Sequence, residues 1–255
     1  MEQLSDFLQF TMKFIRIFVQ VNRNVTNLFK SFTSKMFGDI DASESYFYSR
    51  ISGFTGKRVV EIGGANRPLF LKAALDEYVG VDIDTSFNWD GIYSRYYAQS
   101  CEDILPDRVL GDLVVSKYVL EHIADNRKTF LNITKLMAND GVSVHLIPLG
   151  FHPFSIANRI VGNRFAKVII PFIRPGTEHV TGYPAYYHLC NSFQLEQVAE
   201  TMGCNYEIKY FYGAEDYFGF FAPLGCMVNI FNRCSSFFGI KILASTAVLC
   251  MWKQR

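Results

Sequence analysis

"VVEIGGANRP", Val59 to Pro68, joins a short β-branched run to an acid and two glycines. A strand that stops in a glycine turn opening a helix presents unpaired backbone N–H groups to a ligand, and Gly63 would let that ligand approach the main chain. The later glycines of a nucleotide-binding turn are replaced here by Ala65 and Arg67. If Ala65 takes a positive φ, its Cβ costs about 1–2 kcal/mol, which a fold stable by roughly 5–15 kcal/mol absorbs. Taken alone, a strand ending in Gly-Gly is equally a simple chain reversal.

The neighbours of the turn sharpen the reading. Asp82 lies 19 residues after Gly63, at the end of a second strand, "YVGVDI" (Tyr78–Ile83). A carboxylate there can accept hydrogen bonds from both ribose hydroxyls of a nucleotide; the plainer reading is a strand-end cap, and the spacing suits NAD as well. Residues 69–77 read as a helix, Tyr93–Ala98 as a weaker third strand, and Asp112–Ser116 ("DLVVS") as a fourth. A helix over Asp125–Ala138 follows, and Asp140-Gly141 turns the chain into "VSVHLIP". Alternating strands and helices at these lengths predict right-handed crossovers and an α/β class with a mostly parallel sheet. Further on, "SFQLEQVAETMG" reads as a helix capped by Ser192 and ended by Gly203, with strands at Tyr206–Tyr212 and Leu243–Trp252.

Four of these segments, in order, resemble the class I S-adenosylmethionine-dependent methyltransferases: "VVEIGGANRP" the first motif, "YVGVDID" the second, "CEDILP" the loop after the third strand, and "DLVVSKYVLEHIAD" with "LMANDGVSVHLIP" the fourth and fifth strands. The resemblance spans about residues 58 to 147 and implies a Rossmann-like, seven-stranded sheet with an antiparallel last strand and helices on both faces. It implies S-adenosylmethionine as cofactor. Glu61, Gly63, Gly64 and Ala65 would hold its amino-acid end, and Asp82 with Ile83 its ribose. Cys101, Glu102 and Asp103 would line the adenine, and Ser116 and Lys117 would face the sulfonium. Ser100 stands where many relatives carry an adenine-binding Asp, so the adenine contact passes to Glu102 or Asp103. His122 in "LEHI" reads as structural.

An activated methyl needs chiefly an acceptor held in line; a hydroxyl acceptor needs a base in addition. His152, directly after the fifth strand, and His179, in "RPGTEHVTGYPAYYH", are the candidate bases. Tyr183, Tyr186 and Tyr187 would stack on and hydrogen-bond to a hydroxyl-rich acceptor such as a saccharide, unless they are lid packing. The implied reaction is O-methylation of a small-molecule, saccharide or lipid-linked glycan acceptor. The alternatives are a catalytically weak cofactor-binding partner protein and an NAD-dependent oxidoreductase or epimerase.

Around this core, residues 1–45 form an amphipathic, basic helical extension that Gly38 ends, with Asp39–Ser45 as a polar linker. Insertions at about 151–190 and 216–240 interrupt a methyltransferase domain over 46–255. The mixture of apolar residues with Arg159, Arg164, Lys167 and Arg174 suits a membrane interface, or else a hydrophobic contact with a homodimer mate or the main domain. No uninterrupted apolar segment reaches the roughly 20 residues of a bilayer crossing, and nothing at the N-terminus reads as a signal peptide.

Composition bounds the rest. The 255 residues are 49% hydrophobic and 19% charged, enough for a full core. The net charge of +1 argues against nucleic acid as partner. Six scattered cysteines without a C-x-x-C pair or a His at metal spacing predict free thiols in a cytoplasmic protein, and no metal.

Overall fold

The computed structural model describes residues 2–64, 67–103, 109–160 and 183–254. Its strands are β1 Arg58–Ile62, β2 Glu77–Asp82, β3 Arg95–Ala98, β4 Gly111–Lys117, β5 Met137–Pro148, β6 Cys204–Phe211 and β7 Thr246–Lys253. They form one seven-stranded sheet in the order β3-β2-β1-β4-β5-β7-β6. β1 runs parallel to β2 and β4, β2 to β3, and β4 to β5, whereas β7 is antiparallel to β5. The central strands carry Val59, Val60, Leu113, Val114 and Val115, all buried, the apolar runs expected of parallel strands covered on both faces. Helices α1 (Glu2–Phe37), α2 (Ser43–Ile51), α3 (Asn126–Leu136), α4 (Ser192–Thr201) and α5 (Ala222–Phe237) complete the elements used below.

Four local expectations are corrected. Residues 69–77 form no helix beyond the 3-10 turn Lys72–Ala74. The Leu69 N–H turns to both carboxylate oxygens of Glu61 at 3.3 Å, and the Phe70 N–H to the Tyr78 hydroxyl at 3.3 Å, so tertiary partners claim the donors a helix start would leave free. Aromatic rings pack instead: Tyr78 and Tyr93 lie 4.6 Å apart, and Trp89 stacks on Tyr96 at 4.9 Å. Asp140-Gly141 is no turn between elements; it is an irregularity within the long β5, where the register to β4 shifts between Gly111 and Leu113. The cap of α4 is Asn191, whose side chain accepts from the Gln194 N–H at 3.0 Å, and not Ser192. Finally, part of the supposed linker 39–45 already belongs to α2, nine residues whose periodicity is too brief to stand out in the sequence.

By its internal contacts the chain divides into two compact units. One comprises Ala42–Phe151, Ala185–Tyr210 and Thr246–Arg255 and holds nearly all of the sheet. The other comprises Met1–Asp41, His152–Pro184 and Phe211–Ser245. In it α1 packs beside α5 around buried polar groups: Lys30 pairs with Asp41 at 2.9 Å and Glu215 at 3.5 Å, and Glu215 accepts from Asn229 and Asn232.

Candidate active site

The strand order reverses between β1 and β4, and at such a switch point the connections leave to opposite faces of the sheet, opening a crevice outside the carboxyl ends of the strands. Register places Ile62 beside Val81 and Ser116, and Asp82 beside Ala98. The ends of β1, β2, β3 and β4, with the loops that follow, therefore share one edge, and Gly63, Asp82, Cys101 and Lys117 are brought to it. A surface cavity of about 500 Å³ lined by Lys72, Trp89, Tyr93 and Arg95 lies instead near the amino end of β3, away from these residues.

Gly63 has φ +79° and donates its N–H to Val81 O at 2.9 Å. A Cβ there would come within 2.3 Å of a Val119 methyl, and one on Gly64 within 2.2 Å of the Glu61 carboxyl. Both glycines are thus demanded by packing inside the protein, and Gly63 by its turn geometry as well. Glu61 is 2% exposed. Its carboxylate accepts hydrogen bonds from Leu69 N, from the Tyr78 hydroxyl and from the Tyr93 hydroxyl. Burial pushes its pKa up to about 7 against the lowering effect of these donors. Its visible work is to fold residues 67–70 back over β1. Ala65 lies outside the described residues.

Asp82 closes β2 half-buried, with Oδ1 accepting from the Asp84 N–H at 2.9 Å. Ile83 beside it is 60% exposed, an apolar surface at the crevice edge. In the loop after β3, Cys101 is buried and its carbonyl accepts from the Asn132 side chain at 2.9 Å. Burial raises its thiol pKa to about 11. Glu102 is engaged on both oxygens, by the Asp125 N–H at 2.6 Å and the Ser100 hydroxyl at 3.1 Å; Asp103 is exposed.

At the end of β4, Ser116 is fully buried and bonded to His145 Nδ1 at 2.8 Å. Burial pushes the His145 pKa down to about 3, so its ring is neutral. Lys117 donates to Glu44 Oε2 at 3.0 Å and to the Tyr48 hydroxyl at 3.1 Å, with its ammonium 5.0 Å from the Tyr48 ring centre. The Tyr118 hydroxyl donates to Glu44 Oε1 at 3.0 Å. Burial alone would lower the Lys117 pKa; the bonds to Tyr48 and Glu44 raise it above the ordinary value. Glu44 and Tyr48 escaped the sequence reading because α2 is remote from β4 in the chain and its motif is unremarkable, and Tyr118, next to β4, because only its backbone conformation sets it apart. Tyr118, at φ +57°, is a left-handed non-glycine residue, a strained conformation of the kind found at functional loops.

Glu121 is a further residue missed in the sequence, where only its neighbour His122 drew notice. It is buried, its Oε2 has no hydrogen-bond partner among the described residues, and burial pushes its pKa up to about 8. Its carbonyl accepts from the N–H groups of both Tyr186 and Tyr187, at 2.8 and 3.0 Å. The Tyr187 ring is buried, whereas Tyr186 is exposed.

His152 and Tyr183 belong to the other compact unit. His152 is fully buried: Nδ1 accepts from the Phe154 N–H at 3.2 Å, and Nε2 lies 3.0 Å from Asn232 Oδ1. Both ring nitrogens are therefore engaged, and burial lowers the pKa. Tyr183 is about half exposed; His179 lies outside the described residues. Among the described residues no group of three or more His, Cys, Asp or Glu is arranged to hold a metal ion.

No protein-family model matches the chain, and no curated protein matches it in sequence. Solved structures do resemble it. An S-adenosylmethionine-dependent methyltransferase from Mesorhizobium loti matches 82% of this chain and 97% of its own, with TM-score 0.52 and 12% identity. A chain from the complex of the Haloferax volcanii Trm112 methyltransferase activator with a methyltransferase gives 89% and 94%, TM-score 0.52 and 13% identity. The [4+2]-cyclase SpnF gives 83% and 80%, TM-score 0.51 and 10% identity. At these identities the likeness is one of fold: the chain has the Rossmann-like fold of the class I S-adenosylmethionine-dependent methyltransferases.

Proposed function

We propose that the protein is an S-adenosylmethionine-dependent methyltransferase acting on a hydroxyl of a saccharide or lipid-linked acceptor. One observation carries the reading furthest: the left-handed Gly63 turn after β1 and the Asp82 carboxylate after β2 meet at the edge where the strand order reverses. In this reading Asp82 accepts from the ribose hydroxyls, Ile83 covers a face of the adenine, and Cys101 and Asp103 border its edge. The backbone at Gly63 and Gly64 borders the amino-acid end. Glu61 acts as a positioning residue, because its carboxylate holds the turn and is engaged internally. Ser116 likewise supports the edge through His145.

When bound, the cofactor supplies a methyl already activated by its sulfonium. The chain has to hold the acceptor in line and take up the hydroxyl proton. We assign the proton to Glu44, held by Lys117 and Tyr118, with exposed Tyr186 at the acceptor's side. His152, with both ring nitrogens engaged by Phe154 and Asn232, is given no proton to carry; the other candidate base, His179, lies outside the described residues.

A second reading is a cofactor-binding protein without methyl transfer. The internally satisfied Glu61 favours it, as does the shared fold with a [4+2]-cyclase; fold alone does not fix the chemistry. Titration calorimetry tests both. Binding of S-adenosylmethionine and S-adenosylhomocysteine at one site is expected, weakened about tenfold or more by Asp82→Asn, since hydrogen bonds to a charged acceptor are lost. Binding of neither removes both readings, and binding of NAD in their place would support an oxidoreductase.

A further inference from the structure

α1 reverses the usual amphipathic arrangement. Towards α5 it turns polar and small groups: Asn22 Oδ1 accepts from the Ala222 N–H at 2.8 Å, Thr33 Oγ1 bonds Asn229 Oδ1 at 3.0 Å, and Thr26 packs so tightly that a Cβ on Gly225 would come within 2.7 Å of it. Meanwhile Phe14, Phe18, Val21, Val25, Leu28 and Phe32, spaced alternately four and three residues apart along one face of the helix, are all exposed, Leu28 to 71%. The C-terminal ends of the two helices come together, with Arg233 bonding Gly38 O at 3.1 Å, and there Phe37, Phe237 and Phe238 are exposed as well, Phe237 to 85%. A soluble monomer rarely leaves so continuous an apolar surface to water.

Charge identifies what covers it. The sequence has no Asp or Glu from Phe7 to Gly38, nor from Tyr217 to Ser245. Lys13, Arg16 and Lys35 of α1 and Lys241 beyond α5 are exposed. A second copy docked stripe to stripe would bring like charges together. The positions flanking the stripe, among them Ile17, Asn22, Asn24 and Ser31, offer none of the opposite charges that pair helices in a coiled coil. An anionic lipid surface meets both features, taking the apolar stripe into its acyl boundary and the cations into its headgroups. No helix among the described residues is long and apolar enough to cross a membrane.

We propose that α1 lies in the plane of an anionic membrane surface and, with the exposed end of α5, docks the protein there. The proposal is independent of the methyl-transfer reading. The test is flotation of the full chain with vesicles of phosphatidylcholine containing phosphatidylglycerol, and with vesicles of phosphatidylcholine alone. The protein should float with the former at least about tenfold more than with the latter, and raised salt should release it. Lys13→Gln and Lys35→Gln should each weaken binding about fivefold. Phe18→Ser with Leu28→Ser, both at exposed positions, should abolish flotation while leaving the circular dichroism spectrum unchanged. Absence of flotation, equal flotation with both vesicles, or a doubled mass in light scattering that Leu28→Ser reduces to the monomer would overturn the proposal, the last by showing a second copy on the stripe.

Discussion

At Glu121 a single buried carboxyl sets a measurable pH dependence. Burial raises its pKa from 4.5 to about 8, so across that window the folded state keeps a proton that the unfolded chain has lost. This group's contribution to stability therefore falls as pH rises through the window. Glu121→Gln keeps the shape and removes the charge, so its melting temperature should gain on wild type as pH climbs. The difference should reach the order of 2 kcal/mol, or several degrees, at the upper end; a difference independent of pH would contradict the assignment. Glu61, raised to about 7, contributes in the same direction. Glu44→Gln should leave cofactor affinity within about threefold of wild type and lower turnover at least about a hundredfold, as loss of a general base implies. Steady-state kinetics alongside calorimetry reads the split. Residue by residue, the sequence revealed those groups whose position along a strand fixes their place, such as Asp82 at the end of β2. It could not reveal that Tyr78 and Tyr93, from later segments, would fold over Glu61, or that Glu44 would reach Lys117 from α2.

The elements were legible where periodicity and capping agree. Asp125 caps α3 by accepting from the Lys128 N–H, and the β-branched runs of β1 and β4 formed buried parallel strands. They were illegible where a tertiary partner outbid local propensity, as in residues 69–77, whose helix-like spacing loses to Glu61 and the Tyr78 hydroxyl. The aromatic cover between β1 and β3 depends on Gly80, since a Cβ there would sit 2.8 Å from the Tyr93 ring. Gly80→Ala should cost about 1–3 kcal/mol by overpacking in urea unfolding, and Tyr93→Leu in the same chain should recover part of it. An additive loss would show that the ring and the glycine are not in conflict. The cap of α4 taught a smaller lesson: Asn191 and Ser192 are both good caps by type, and only the backbone shows which one stands outside the helix.

Over the whole molecule, four motifs in order implied the sheet, and the antiparallel β7 beside β5 follows the same pattern. What the sequence concealed is the division of labour. One compact unit carries the carboxyl edge with Gly63, Asp82 and Lys117, and the other carries the solvent-facing apolar stripe of α1. Helical periodicity exposes a stripe in both cases, but it does not say whether the stripe faces a core or the solvent; only the burial of Thr26 and Thr33 opposite does. Every role proposed for the site requires that the carboxyl edge holds S-adenosylmethionine. A crystal structure of the protein grown with S-adenosylhomocysteine decides this. The ribose hydroxyls should lie within hydrogen-bond distance of Asp82 and the amino-acid end against the Gly63 turn; a nucleoside bound elsewhere, or that edge closed by protein side chains with the ligand in excess, would rule the site out.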